Sequence, residues 1–328
     1  MAIVCLLLLV PSAAVAGALQ APPRVEVTDE TGRRVSVPEN VERVVSLAPN
    51  LTELIYALGA ERKLVGVTDY CDYPPEARQK PSVGGAVNPS LERILSLKPD
   101  LVLATRALNR RETVAALERH GLSVYATAPG TVDDVVESTR RVGHLLGCGE
   151  RGEELARELR ARLASLEQRL AGRARRRALF VVWTDPLMSI GPRTFLADAL
   201  RRAGADSVIE VEQEWPRLNI EVVVRLQPEF LIFADSHSEK VAVRVAELKR
   251  RRGWRNLRAL AENRVAVISD AVNRPAPRMI SAIEALARQL HPDAFADDRM
   301  RSDERSISGG LPRAARSRFA FAPAGGMR

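Results

Sequence analysis

The sequence has 328 residues, of which 27% are charged and only 4% aromatic, with 20 Gly and 20 Pro. At 46% apolar it can bury substantial cores, which excludes a disordered chain, and its length suits two domains of about 150 residues each. The formal charge is +8, but +3 of it falls on residues 297–328, and the remaining +5 is spread among mixed charges with no basic–aromatic cluster, so nucleic-acid binding has no footprint.

Residues 1–16 carry no charge. An apolar run over residues 3–10 is followed by Pro11 and by small residues ending in Ala14-Val15-Ala16. That is the pattern of a signal peptide with its cleavage site, and the run is shorter than the roughly 20 apolar residues a membrane span needs. Export is therefore expected. Cys5 directly follows Ile3-Val4 rather than small residues and is a poor candidate for lipid attachment.

Beyond the leader, residues 25–37 alternate around Thr31-Gly32, which predicts a β-hairpin. Short apolar runs at 43–47, 64–67, 101–104 and 124–127 read as buried strands. Helical patterns at 52–58, 91–97 and 111–119 lie among them. Strands alternating with helices imply a parallel α/β lobe. Residues 150–176 differ. Leu155, Leu159, Leu163, Leu166 and Leu170 recur at helical spacing and predict one long amphipathic helix. The α/β alternation then resumes, with strands at 178–183, 230–233 and 265–268 and helices at 195–203 and 222–226. The resulting division is a signal peptide at 1–16, an N-terminal lobe at 24–147, a connecting helix at 148–176, a C-terminal lobe at 177–296 and a disordered basic tail at 297–328.

An internal echo supports two related lobes. L-E-R-I-L-S-L-K-P-D-L-V-L from Leu91 aligns with I-E-V-V-V-R-L-Q-P-E-F-L-I from Ile220, placing Glu92 on Glu221, Leu97 on Leu226 and Pro99 on Pro228. Both glutamates stand near helix N-termini. The helix dipole favours an acid there, and a pair of docking acids, one on each lobe, is the functional alternative.

Ligands of open α/β sheets bind beyond the carboxyl ends of the strands, and in two lobes those ends can face each other across a cleft. The segments that follow strands are Ala48-Pro49-Asn50, the T-D-Y-C-D-Y-P-P stretch with Tyr70 and Tyr73, Thr105-Arg106, the loop from Trp183, and Asn273-Arg274-Pro275. Trp215 stands just before the second Glu-bearing helix. Aromatic platforms suit a flat apolar ligand, and an Arg can pair with its polar rim. Trp254 is read as structural. Asp69, Asp72, Asp185 and Asp270 could be read as acid/base pairs, but ordinary turns and caps explain them as well. No nucleophile–base set, phosphate loop or zinc-ligand set is present, so no catalytic or metal residue is assigned. Cys71 and Cys148 are expected to be free thiols.

Five stretches resemble the cobalamin-binding proteins of ABC transporters, within the wider periplasmic family that also binds iron-siderophores and haem. They are S-L-A-P-N-L-T-E-L-I-Y-A-L-G-A, V-G-V-T-D-Y-C-D-Y-P-P-E-A, V-G-G-A-V-N-P-S-L-E-R-I-L-S-L-K-P-D-L-V-L-A, W-T-D-P-L-M-S-I-G-P and N-R-P-A-P-R. The resemblance implies two Rossmann-like α/β lobes with central parallel sheets, joined by one long helix. It also implies a periplasmic, non-enzymatic receptor that acts as a monomer. That receptor would carry cobalamin or a related corrinoid, as cargo rather than cofactor, to an inner-membrane permease and its ATPase. A ferric-siderophore or haem receptor is the alternative. By matching positions, Tyr70, Trp183 and Trp215 would flank the ring, Ala48, Pro49 and Asn50 would meet its edge, and Arg274 would contact its polar periphery. Glu92 and Glu221 would dock on the permease. The chain departs from the best-known pattern at Gly84-Gly85-Ala86 and Thr105, where that pattern carries Trp, and at Asn273, where it carries an acid.

Overall fold

The computed structural model describes residues 23–235 and 238–296. The signal-peptide and tail readings lie outside the described residues. The chain divides into two compact units, one formed by residues up to 128 with 142–150, the other by 129–141 with those from 151 onward.

The first unit opens with an antiparallel hairpin, β1 (Arg24–Thr28) and β2 (Arg34–Pro38), in register from Arg24 opposite Pro38 to Thr28 opposite Arg34. Gly32 supplies the left-handed φ of 85° that the turn requires. Asp29 organises that turn. It accepts from the Thr31 N–H and hydroxyl at 2.9 and 2.8 Å, from the Arg33 N–H at 2.9 Å and from the Arg33 guanidinium at 2.6 Å. Burial pushes the Asp29 carboxyl up, but these donors together outweigh it and hold its pKa below the ordinary value.

The parallel sheet of this unit follows. Its elements are β3 (Val44–Ser46), α1 (Pro49–Ala57), β4 (Leu64–Gly66), α2 (Leu91–Ser96), β5 (Leu101–Thr105), α3 (Arg111–Arg119) and β6 (Val124–Thr127), with strand order β4-β3-β5-β6. Strands covered on both faces become continuous apolar runs, and β5 is buried along its whole length. Val45, Leu47, Val83, Ile94, Val102, Leu117 and Val124 form one core cluster.

Two helices come next, α4 (Val132–Leu145) and α5 (Gly149–Leu170). On α5 the predicted leucine stripe is the buried face, with Leu155, Leu159, Leu163 and Leu166 all inside. The helix stops at Leu170 rather than near residue 176, because Gly172 takes a left-handed φ of 72° and Arg176 already starts a strand. Within the second unit Glu137 of α4 accepts from the Arg140 guanidinium at 2.6 Å and from Arg141 at 3.0 Å, and lies 3.5 Å from Arg160 of α5. The Arg140 hydrogen bond is the main reason its carboxyl pKa falls to about 2.

The rest of the second unit contains β7 (Arg176–Val181), β8 (Trp183–Thr184), β9 (Leu187–Met188), α6 (Phe195–Arg202), β10 (Ala205–Ser207), α7 (Ile220–Leu226), β11 (Phe230–Ala234), α8 (Ser238–Leu248), α9 (Arg258–Ala261), β12 (Val265–Ile268) and α10 (Met279–Leu290). Its parallel sheet runs β10-β7-β11-β12. Trp254 is buried in a cluster with Leu179, Phe233, Val223 and Leu257, the structural role expected of it. The sequence pattern makes 178–183 one strand. The chain instead leaves the sheet after Val181, and the Val182 N–H binds the Met188 carbonyl at 3.0 Å, so Trp183 belongs to a separate antiparallel ribbon formed by β8 and β9.

Both units are therefore α/β lobes with a four-stranded parallel sheet. Numbered within its own lobe, each sheet has the order second-first-third-fourth strand. The match extends to detail at the aligned echo. Val44 pairs with Leu101 in one lobe and Ala178 with Phe230 in the other. Arg43, just before β3, and Arg177, near the start of β7, place a guanidinium N–H on the carbonyls of Leu97 and Leu226 at 2.7 and 2.8 Å. Their own carbonyls accept from the N–H of Asp100 and Glu229, both at 2.8 Å. The aligned residues Lys98 and Gln227 both leave their helices with left-handed φ, 45° and 41°.

Candidate functional site

The carboxyl ends of the N-lobe strands are tied together by side chains rather than by further strand pairing. Ser46 ends β3, and its hydroxyl donates to the Ala48 carbonyl at 3.0 Å while accepting from the Thr52 hydroxyl at 2.8 Å. This fixes the entry to α1. Ala48 is its extended N-cap residue and offers no side-chain cap, and Pro49 fills the first turn, where no N–H is needed. Ala48 and Asn50 are buried and Pro49 is half-buried.

After β4 the chain alternates inward and outward. Cys71 is buried against the hydroxyls of Thr52 and Thr68, at 3.1 and 3.2 Å from its sulfur. The neighbouring Tyr70 is 65% exposed. The loop is pinned on its other side by the Asp69 N–H on the Gly84 carbonyl at 2.9 Å and by the Ser82 hydroxyl on the Asp69 carboxylate. Neither Cys71 nor Cys148 forms a disulfide, and burial pushes the Cys148 thiol pKa up.

Asn109 is the organising residue that sequence reasoning missed. It is buried; its amide nitrogen donates to the Leu47 and Ala86 carbonyls at 3.0 and 2.8 Å, and its oxygen accepts the Thr105 N–H at 2.7 Å. One side chain thus joins the segment after β3, the Gly84-Gly85-Ala86 loop and the end of β5. The available signal was an Asn four residues past a strand end. It resembles ordinary turn composition until the long-range partners are known.

In the C lobe Trp183 is 61% exposed at the start of the ribbon. Its indole N–H donates to the Asp185 carbonyl at 2.7 Å, and the Asp185 carboxylate pairs with Arg251 at 3.0 Å. The ribbon is extended by the chain around Trp215. Met188 bridges Arg217, the Leu218 N–H binds the Leu187 carbonyl at 2.9 Å, and the Gly191 N–H binds the Glu214 carbonyl at 2.9 Å. A Cβ at position 191 would run into the Gln213 carbonyl, so the glycine of S-I-G-P is what lets these two segments lie together. Trp215 is 43% exposed. Arg274 is half-buried at the end of the short 3-10 turn Asp270–Asn273 that follows β12. The structure therefore brings Trp183 and Trp215 onto one small antiparallel platform, and puts Arg274 after the edge strand of the same lobe.

Glu92 and Glu221 are both exposed in the first turn of their helices. In each case the capping is done by another side chain. Ser90 accepts from the Arg93 N–H at 3.3 Å, and Asn219 accepts from the Glu221 N–H at 2.9 Å. The glutamates are therefore not needed as caps. Among the described residues no group of three or more His, Cys, Asp or Glu could hold a metal, and no helix is long and apolar enough to cross a membrane.

Residues 44–272 match the periplasmic binding protein family. The chain is 32% identical over 248 residues to a vitamin B12-binding protein of Vibrio parahaemolyticus, covering 75% of this chain and 88% of that one. Among solved structures, the vitamin B12-binding protein BtuF of Vibrio cholerae superposes with a TM-score of 0.70 at 29% identity, covering 79% of this chain and all (100%) of that one. The heme-binding protein RhuT from Roseiflexus superposes with a TM-score of 0.68 at 30% identity, over 78% of this chain and 100% of that one.

Proposed function

The chain belongs to the periplasmic binding protein family, and from that premise we propose that it captures a corrinoid and delivers it to an ABC importer of the inner membrane. It is a binding protein, not an enzyme. The observation that carries the reading is the set of large aromatic side chains held out into solvent at the carboxyl ends of the sheets. Tyr70, Trp183 and Trp215 are each exposed, yet each sits on backbone that is hydrogen-bonded into its own lobe. Rigid aromatics lose little conformational freedom on binding and match the flat apolar faces of a macrocycle. In this proposal Tyr70, Trp183 and Trp215 contact the ring, Ala48, Pro49 and Asn50 meet its edge, and Arg274 binds its polar periphery. Exposed Glu92 and Glu221 dock on the permease. The protein acts as an exported monomer, and the corrinoid is cargo, not cofactor.

Haem or a ferric chelate is the second reading, supported by the likeness to RhuT. Purified protein incubated with cyanocobalamin and, separately, with haem, then desalted, is expected to retain the corrinoid absorbance bands. Retention of the haem band with no corrinoid band overturns the choice. Titration calorimetry over a panel of corrinoids and ferric chelates ranks the cargo.

A further inference from the structure

The N lobe has a cavity of about 400 Å³ that the contacts proposed above do not use, lined among others by Thr105, Arg106, Asn109, Arg111, Val114 and Glu118. It lies where β5 turns into α3. Three features of its wall point to an anion. Thr105 is 2% exposed and its hydroxyl has no hydrogen-bond partner, a desolvation cost that a ligand oxygen would relieve. Helix α3 starts at Arg111 with no side-chain cap, so its first N–H groups and the positive end of its dipole are unmet by protein side chains. The guanidiniums of Arg106 and Arg111 form no ion pair or side-chain hydrogen bond among the described residues, whereas Glu118 is already paired with Arg33 at 2.8 Å. The wall is left with unspent positive charge and donors that suit an oxyanion. Asn109 shares this wall and also holds the Leu47 carbonyl at 3.0 Å, one residue before the Ala48–Asn50 segment of the same lobe.

We infer that this cavity binds an oxyanion. Resting on the corrinoid reading, the oxyanion is the phosphodiester of the cargo's nucleotide arm, so the receptor selects complete cobalamins over corrinoids that lack that arm. A free phosphate offers the same chemistry, and the test separates the two sources.

The full chain, Arg106→Gln with Arg111→Gln, and Thr105→Val are titrated calorimetrically with cobalamin, with cobinamide and with inorganic phosphate. Wild type is expected to bind cobalamin at least tenfold more tightly than cobinamide. The double variant removes that difference and leaves cobinamide affinity unchanged. Thr105→Val narrows the difference while raising the melting temperature of the unliganded protein, since it deletes a buried hydroxyl with no partner. A cobalamin preference that survives the double variant overturns the assignment. Equal affinities for the two corrinoids, or no binding of either, rule out the nucleotide arm. Phosphate binding that disappears in the double variant then keeps the cavity as a free-anion site, and no phosphate binding overturns it altogether. Failure of the corrinoid reading thus remains distinct from failure of the cavity.

Discussion

The two lobes repeat one framework and differ in what they build on it. Each has a sheet of the same order, an arginine at the start of the first strand holding the end of the helix before the third, and an exposed glutamate in that helix's first turn. The carboxyl-end loops share none of this. The N lobe closes them around the amide of Asn109 and leaves a cationic cavity at β5, while the C lobe adds an antiparallel platform bearing two tryptophans. Main-chain order is fixed by the sheet and its covering helices, whereas loops at strand ends are free to vary. The shared parts are thus the ones proposed to meet a partner, and the divergent parts are the ones proposed to meet cargo.

Three experiments probe this likeness. The largest effect is expected at the glutamates. If the lobes dock equivalently, Glu92→Ala and Glu221→Ala each reduce stimulation of the importer's ATPase, and the pair together abolishes it while cargo affinity stays constant. Stimulation that persists in the pair removes the docking role from both. A smaller effect is expected at the aligned core positions Ile94 and Val223, both fully buried. Ile94→Ala should cost about 3 kcal/mol in urea unfolding. Val223→Ala should cost about 1 kcal/mol less, because one methylene fewer is lost. A reversed order would show that the two sites are packed differently despite their alignment.

The smallest effect is in pH dependence, where the lobes should part company. His291 is buried in the C lobe against the Gly204 carbonyl at 2.9 Å. Burial is the main cause of its lowered pKa, with the Arg176, Arg173 and Arg175 charges acting in the same direction. The unfolded chain therefore takes up a proton that the folded lobe refuses. Stability is full above the unfolded value near 6.5 and declines as pH falls below it towards the folded value. In the N lobe the lowered pKa of Asp29 makes stability decline only as pH drops below the ordinary value of 3.8. Melting curves at pH 7.5 and about 5.5 should differ, and His291→Gln should shrink the difference. An unchanged difference assigns it to other groups.

Much of the framework was legible in the sequence because it depends on local pattern. The hairpin at Thr31-Gly32, the buried run of β5 and the leucine stripe of α5 are set by alternation, burial and helical period. Helix α4 was missed. Its β-branched Val135, Val136 and Thr139, together with Gly143, weaken a helical reading that tertiary packing restores. Trp183 ends a six-residue apolar run, and nothing local announces that Val182 turns its N–H to Met188 instead of continuing the sheet. The residues at strand ends were identifiable by position. The hub at Asn109 and the need for glycine at 191 were not, because each is defined by partners far away in sequence, and the orphan hydroxyl of Thr105 was not, because the lack of a partner shows only in the packed fold.

The separation of the β8–β9 ribbon from the main sheet has an evolutionary consequence. A binding surface woven into the central strands could change only at the expense of the core. The tryptophan platform instead hangs on a few backbone hydrogen bonds and one glycine contact, so its exposed side chains can drift while the fold beneath them keeps its stability. A lineage built this way can exchange a handful of exposed residues on that platform and leave its sheets untouched.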